Sequence, residues 1–168
     1  MQPFFQAQLT VMESLNFNDY PIPEWSDAES IEAALDDIRH AHDEVSTNDA
    51  YDKLLWAVGN NHSGSFYPVV LAVLAPLQQV LESGSPWSQR AVMESLIDLG
   101  GSFAAEPGHE EHQGVNVSQQ LRAFIASLRP TILKIAEQAQ LGARDAIDPA
   151  RARARSAADL LELIDDWA

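Results

Sequence analysis

The sequence contains no cysteine, and its 168 residues include only 10 lysines and arginines against 25 aspartates and glutamates. The lack of cysteine excludes disulfide bonds, thiolate metal sites and cysteine nucleophiles, and it is typical of a protein from a reducing compartment. No stretch approaches the roughly 18 uncharged apolar residues of a membrane-spanning helix. The first residues, MQPFFQAQLTVMESLNF, show neither the basic region nor the sustained apolar region of a signal peptide. We therefore expect a cytoplasmic protein.

Signatures of catalysis are also missing. The sequence has no glycine-rich phosphate loop, no nucleophile elbow and no adjacent Ser-His-Asp arrangement. The segment His109-Glu110-Glu111-His112 spaces its histidines three apart, whereas the zincin helix spaces them four apart, and no third ligand is evident. His42-Asp43 is similar to the metal-binding pair of helical phosphohydrolases, but those enzymes also need an earlier histidine at a suitable separation, and only His40 precedes the pair. We predict a protein that is not an enzyme and has no metal or cofactor.

The excess of acidic residues is concentrated at one end of the chain. The net charge is −15, and residues 1 to 52 carry twelve acids against one base, Arg39. Such a field repels nucleic acid and anionic lipid and speeds the approach of a basic protein. We predict no nucleic-acid or membrane partner. An acidic surface that serves only solubility is the alternative, and Arg151, Arg153 and Arg155 are expected to pair with nearby acids.

The apolar spacing is helical almost throughout. In the first predicted helix one face carries Ile31, Ala34, Leu35, Ile38, His42 and Val45, behind a capping box formed by Ser26 and Glu29. Pro76 and Pro130 are predicted to kink two later helices, the second of which runs on from residue 118. No alternating run indicates a β-sheet. We predict a single all-α domain (1–168) with an N-terminal segment (1–25) and three antiparallel helix pairs (26–60, 68–99 and 118–166), either stacked as an α-solenoid or packed as a compact bundle.

A polar segment, GNNHSGSFYP at residues 59 to 68, joins the first two pairs. Its composition predicts a corner between helices and not a catalytic loop. Asn60 or Asn61 is expected to take the left-handed conformation, and Gly64 to have a positive φ. Ser63 or Ser65 is expected to cap the next helix, and Pro68 to fix its first turn.

Three segments carry a family resemblance. AVGNNHSGSFYPVVL resembles the motif N-[DN]-H-A-G-[ST]-[YF]-Y-P of small bacterial HEAT-like repeat proteins, with Ser63 in place of the commoner alanine. LIDLGGSFAAEPGHEE and RARARSAADLLELID are similar to later segments of the same proteins, in the same order, over roughly residues 50 to 165. The resemblance implies a HEAT/armadillo-like fold, and some of these proteins look like immunity proteins of polymorphic toxin systems.

These observations predict an immunity protein that masks the active or substrate-binding surface of a basic cognate toxin, because many toxins that attack nucleic acid are basic. A non-catalytic scaffold for cytosolic assembly is the alternative. The residues predicted to bind the partner are Asp36, Asp37, Asp43, Glu44, Asn61, His62 and Tyr67. The candidate aromatic anchors, most of them expected in the core, are Trp25, Trp56, Phe66, Tyr67, Trp87 and Trp167.

Overall fold

The structure is a computed structural model that describes residues 16–142 and 149–168. Within those residues seven α-helices form the fold, so the predicted all-α class is confirmed. The helices are α1 (Ala28–His40), α2 (Glu44–Val58), α3 (Val70–Ser83), α4 (Pro86–Ile97), α5 (Val117–Ser127), α6 (Arg129–Gly142) and α7 (Pro149–Asp166). None of them combines the length and the apolar character needed to traverse a lipid bilayer. Residues 1–15 of the predicted N-terminal segment lie outside the described residues.

The first helix pair differs from the sequence prediction at its caps. Asp27, and not Ser26, accepts the backbone hydrogen bond that opens α1, from Ser30 N–H. The capping box belongs to α2, where the Asp43 carboxylate accepts from Ser46 N–H and the Ser46 side chain accepts from the Asp43 N–H. Because α1 ends at His40, the predicted apolar face stops there, and His42 is exposed.

The predicted long helix after residue 118 is two helices. The helical turn closes at Leu128, whose N–H donates to the Ile125 carbonyl, and α6 begins at Arg129. Pro130 therefore occupies the first turn of α6, where a missing N–H costs no helical hydrogen bond. The expectation that Pro130 kinks a continuous helix was wrong, whereas Pro76 does lie inside α3.

The helices pack in two rows around one core. In one row α4 lies between α2 and α7, and in the other α3 lies between α1 and the α5–α6 segment. Leucine, isoleucine and valine side chains from both rows meet at the centre, and Leu54, Leu77 and Leu96 are fully buried there. Burial of this apolar surface is the main term that holds the rows together.

Within residues 16–142 and 149–168, five strands of two residues each contradict the expectation of no β-sheet. Gly59–Asn60 (β1) pairs antiparallel with Ser65–Phe66 (β2), and β2 pairs parallel with Ala104–Ala105 (β3). A separate hairpin joins Glu111–His112 (β4) to Val115–Asn116 (β5). Two residues are too few to show an alternating pattern, so the sequence could not reveal these strands.

Candidate functional site

The polar segment at 59–68 is a structured corner. The Asn60 side chain accepts hydrogen bonds from the backbone N–H of His62 at 3.0 Å and of Ser63 at 3.1 Å, which closes the turn between β1 and β2. Gly64 has the predicted positive φ, 70°. Neither Asn60 nor Asn61 is left-handed, and α3 has no side-chain cap from Ser63 or Ser65, so those two expectations were wrong.

The same corner brings together two segments that are distant in the sequence. The segment around Phe103 follows a π-helical turn at Asp98–Ser102, and its strand β3 adds to the edge of β2. The Phe103 ring lies next to Gly64, about 3.6 Å from where a Cβ would stand. The sequence indicated both segments separately, but not that they meet.

Beside the corner, two tryptophans stack at the surface. The rings of Trp25 and Trp56 are 5.0 Å apart with an interplanar angle of 26°, and the Trp25 indole N–H donates to the Trp56 carbonyl at 2.9 Å. They remain 43% and 40% exposed. Tyr67 meets Trp25 edge-on at 6.2 Å, and His62 meets Trp56 edge-on at 5.6 Å. We call Trp25, Trp56, His62 and Tyr67 the aromatic surface.

Carboxylates border this surface. Burial raises the pKa of Tyr67, and the nearby charges of Glu106 and Glu24 raise it further. Glu24 directly precedes Trp25, and the Glu106 N–H donates to the carbonyl of Phe66, the residue before Tyr67, at 2.8 Å. The aromatic surface thus combines large apolar rings with a negative border.

The remaining candidate anchors have structural contacts. Phe66 is 1% exposed and belongs to the core. Trp87 lies under the guanidinium of Arg90, and Trp167 packs beside Gly100. Trp25 and Trp56 are the two tryptophans that offer a large exposed area.

The histidines of the HEEH segment contact two different tyrosines. The His109 ring lies 4.8 Å from the Tyr67 ring, and the His112 ring lies 4.9 Å from the Tyr20 ring. Over the part of the chain that the structure describes, no group of three or more histidine, aspartate or glutamate side chains is arranged to hold a metal ion. His42 is exposed and not on a buried face: its Nε2 lies 3.6 Å from Asp43 and its Nδ1 3.1 Å from the His40 carbonyl.

The predicted acidic residues lie apart from the aromatic surface. Asp36 and Glu44 are exposed on the connected ends of α1 and α2, and Asp36 pairs with Arg39 at 3.3 Å. Asp37 pairs with Lys53 at 2.7 Å, and Asp43 caps α2. At 1.5 Å per residue, the first and last turns of α2 are about 18 Å apart. Asp43 and Glu44 therefore lie at the opposite end of α2 from Asn61, His62 and Tyr67. The contact with Lys53 places Asp37 nearer the middle of α2.

A cleft that the sequence did not predict lies on the row of α2, α4 and α7. It has a volume of about 1000 Å³, within the range of ligand-binding sites. Its charged and hydroxyl-bearing lining residues are Tyr51, Asp52, Arg90, Glu94, Asp98, Arg155, Ser156 and Asp159. Carboxylates outnumber the two arginines in this set.

Two internal contacts organise the cleft. The Tyr51 hydroxyl donates to the Asp98 carboxylate, and Arg90 Nε donates to Glu94 at 2.9 Å. Burial raises the pKa of Tyr51 well above that of an ordinary tyrosine, and the hydrogen bond and charge of Asp98 add to the shift, as do the charges of Asp52 and Glu94. The Tyr51 hydroxyl thus lies half-buried against the Asp98 carboxylate.

The helical spacing of the cleft residues was visible in the sequence. Asn48, Tyr51 and Asp52 lie on one face of α2, and Arg90 and Glu94 are four apart on α4. What the sequence could not show is that α7 supplies the third wall through Arg155. The predicted arginine–acid pairing also needs correction at Arg153, whose guanidinium is buried and donates to Gln89 Oε1 at 2.8 Å.

Comparison of the chain with family models, with curated proteins and with solved structures finds no match in any of the three. The resemblance to HEAT-like repeat proteins therefore stays a prediction.

Proposed function

We propose that this chain is a protein-binding protein whose aromatic surface holds a basic partner, and that it acts as an immunity protein that masks a cognate toxin in the bacterial cytoplasm. The observation that carries the proposal is the stacked and half-exposed pair of Trp25 and Trp56. Tryptophan is the residue most enriched among those that dominate binding energy at protein interfaces.

The pair is fixed before any partner arrives. The hydrogen bond from Trp25 to the Trp56 carbonyl ties the segment before α1 to the end of α2. A rigid aromatic pair loses little conformational entropy on binding, so more of its burial contributes to affinity. The carboxylates of Glu24 and Glu106 at its border favour a partner that presents lysine or arginine.

A HEAT-like solenoid is the architecture that we propose for this binder. Its support is the way the helices pack. The second helices of the first two pairs, α2 and α4, pack side by side, and α7 packs against α4 in the same row. The first helices, α1 and α3, lie in the other row. Stacked pairs in which equivalent helices are neighbours are the arrangement of helical-repeat proteins. Such stacking yields an extended surface for a protein partner.

The test is co-expression with the products of the genes next to this one, among which a basic protein is the expected partner, scored by growth rescue and by calorimetric affinity. Trp25→Ala and Trp56→Ala should each weaken binding by about 30-fold, which corresponds to roughly 2 kcal/mol. Val45→Ala and Leu133→Ala are matched controls, because both side chains are exposed and apolar at positions outside the aromatic surface.

If both tryptophan variants fold and still protect and bind as the wild type does, the aromatic surface is not the interface. If the neighbouring protein does not bind the wild-type chain at all, the immunity role is wrong and the scaffold alternative is favoured.

A further inference from the structure

The cleft and the aromatic surface are neighbours on α2. Asp52 lines the cleft and Trp56 belongs to the aromatic surface, and the two are four residues apart. Residues at this spacing lie on the same side of a helix, with Cβ atoms about 5–6 Å apart. One bound protein can therefore cover Trp56 and reach into the cleft.

Some charged side chains of the cleft have a partner within the described part of the protein and others do not. Arg90 forms a salt bridge with Glu94 and lies over the Trp87 ring. Asp98 accepts a hydrogen bond from the Tyr51 hydroxyl. Asp52 and Asp159 are exposed and, among the residues that the structure describes, make no hydrogen bond or ion pair. Arg155 is the remaining cation of the lining.

We propose that the cleft receives an arginine side chain of the bound protein, with Asp52 and Asp159 as its carboxylate partners and Trp56 beside its entrance. The carboxylates come from two helices, α2 and α7, and both border the same cavity. An anionic group is disfavoured there, because carboxylates exceed arginines and Arg90 is already paired.

Arginine fits this site better than lysine for two reasons. Its planar guanidinium carries five N–H donors, so it can serve more than one carboxylate at once. It also stacks on aromatic rings, and the partly exposed Trp56 is four residues from Asp52 on α2. A lysine ammonium is a compact charge that keeps its water more strongly.

The inference rests on the proposed function, since the arginine is taken to come from the bound protein. Its test uses a probe that does not need that protein. The capped peptide Gly-Arg-Gly is titrated into isotope-labelled protein and followed by NMR, with capped Gly-Lys-Gly and Gly-Glu-Gly in parallel. We expect saturable shifts confined to Tyr51, Asp52, Asp98 and residues 152–159, strongest for the arginine peptide and missing for the glutamate peptide.

Paired charge variants separate the site from general attraction to an acidic protein. Asp52→Asn with Asp159→Asn removes two charges from the cleft, and Asp36→Asn with Glu44→Gln removes one charge from α1 and one from the start of α2, both outside the cleft lining. The first pair of substitutions should lower the affinity for the arginine peptide about tenfold, the size expected for a lost hydrogen bond between charged groups. The second pair should change its affinity less than about twofold, as expected for screened surface charges.

Equal losses in both pairs, shifts scattered over the acidic ends of α1 and α2, or equal binding of the glutamate peptide would each overturn the inference. Failure here is distinct from failure of the proposed function. If the arginine peptide does not bind in the cleft while Trp25→Ala still weakens binding of the neighbouring protein, the proposed interface stands and only the arginine site is refuted.

Discussion

At the scale of single residues, Gly59 is where the corner tolerates no side chain. A Cβ built on Gly59 would lie 2.0 Å from the Ser65 carbonyl oxygen and 2.7 Å from Phe66 Cα. Both obstacles are backbone atoms of the paired strand, so neither can rotate away. Its φ of −171° is open to any residue, so the backbone conformation does not require glycine. The close approach of the paired strand does.

We predict that Gly59→Ala lowers the free energy of unfolding by about 1–3 kcal/mol, the usual cost of forced overpacking. Urea denaturation followed by circular dichroism measures it. Gly101→Ala is the matched control, because its Cβ would meet only the Leu163 side chain at 3.4 Å, an ordinary contact. Equal stability of the two variants would show that the corner relaxes without cost.

Tyr51 gives a second prediction at this scale, in the form of a pH dependence. Its pKa is raised in the folded protein, whereas an unfolded tyrosine ionises near about pH 10. Stability from this group is therefore fully present below about pH 10 and is lost as the pH rises further, because unfolding then releases a proton.

The urea midpoint of the wild type should fall as the pH rises above about 10, and it should fall less in Tyr51→Phe, which has no phenol to ionise at this position. Tyr67 titrates in both proteins, so the difference isolates Tyr51. An identical decline in the two proteins would show that the cleft does not hold the neutral phenol.

At the scale of elements, the apolar periodicity was enough to place most helices but not all of their ends. α3 lies close to its prediction, because Pro68 and Gly84 flank a strongly periodic run. The boundary between α5 and α6 was missed, because Leu128 and Ile132 continue the same apolar spacing across the break. Apolar periodicity shows which face of a helix is buried. Two successive helices whose buried faces are in line therefore show one uninterrupted pattern.

The candidate site was less predictable than the helices for a related reason. Tyr67 and His62 stood out through local composition, but the stacking of Trp25 on Trp56 joins residues on separate elements. The cleft depends on where α7 docks against α4, a long-range contact that a local pattern does not encode.

The docking of α7 contains a buried polar contact that can be tested. Arg153 is 9% exposed and donates to the Gln89 side chain, while Gln89 Nε2 donates to the Leu81 carbonyl at 2.9 Å. This chain of hydrogen bonds connects α7 to α4 and α3. Burial lowers the pKa of Arg153, which shows the desolvation that the guanidinium undergoes.

Gln89→Leu should lower the free energy of unfolding by about 1–3 kcal/mol, because it leaves the buried guanidinium without its acceptor. Adding Arg153→Met should restore part of that loss, since replacing both partners of a buried polar pair by apolar groups is often neutral. Thermal unfolding of the two single variants and the double variant measures the coupling. Strictly additive effects would show that the contact contributes nothing to docking.

At the scale of the whole molecule, the proposed function predicts different roles in binding for the net charge and for the aromatic surface. A net charge of −15, concentrated toward the first 52 residues, produces a field that reaches a basic partner before contact. On α2 the exposed carboxylate of Glu44 lies about 18 Å from Trp56, too far to share a close contact with it. Asp36 is exposed on the last turns of α1. Their expected role is therefore to speed association and not to hold the complex.

We predict that the charge variants change the association rate with the expected basic partner and that the tryptophan variant changes the dissociation rate. Stopped-flow fluorescence at low and high salt measures both rates. Asp36→Asn with Glu44→Gln should slow association about two- to fivefold at low salt, with dissociation unchanged. Trp56→Ala should instead speed dissociation about 30-fold at either salt concentration, because apolar burial is not screened by ions. If the charge variants changed dissociation as strongly as the tryptophan variant does, the acidic ends of α1 and α2 would lie within the interface, and the partner would have to span the full length of α2.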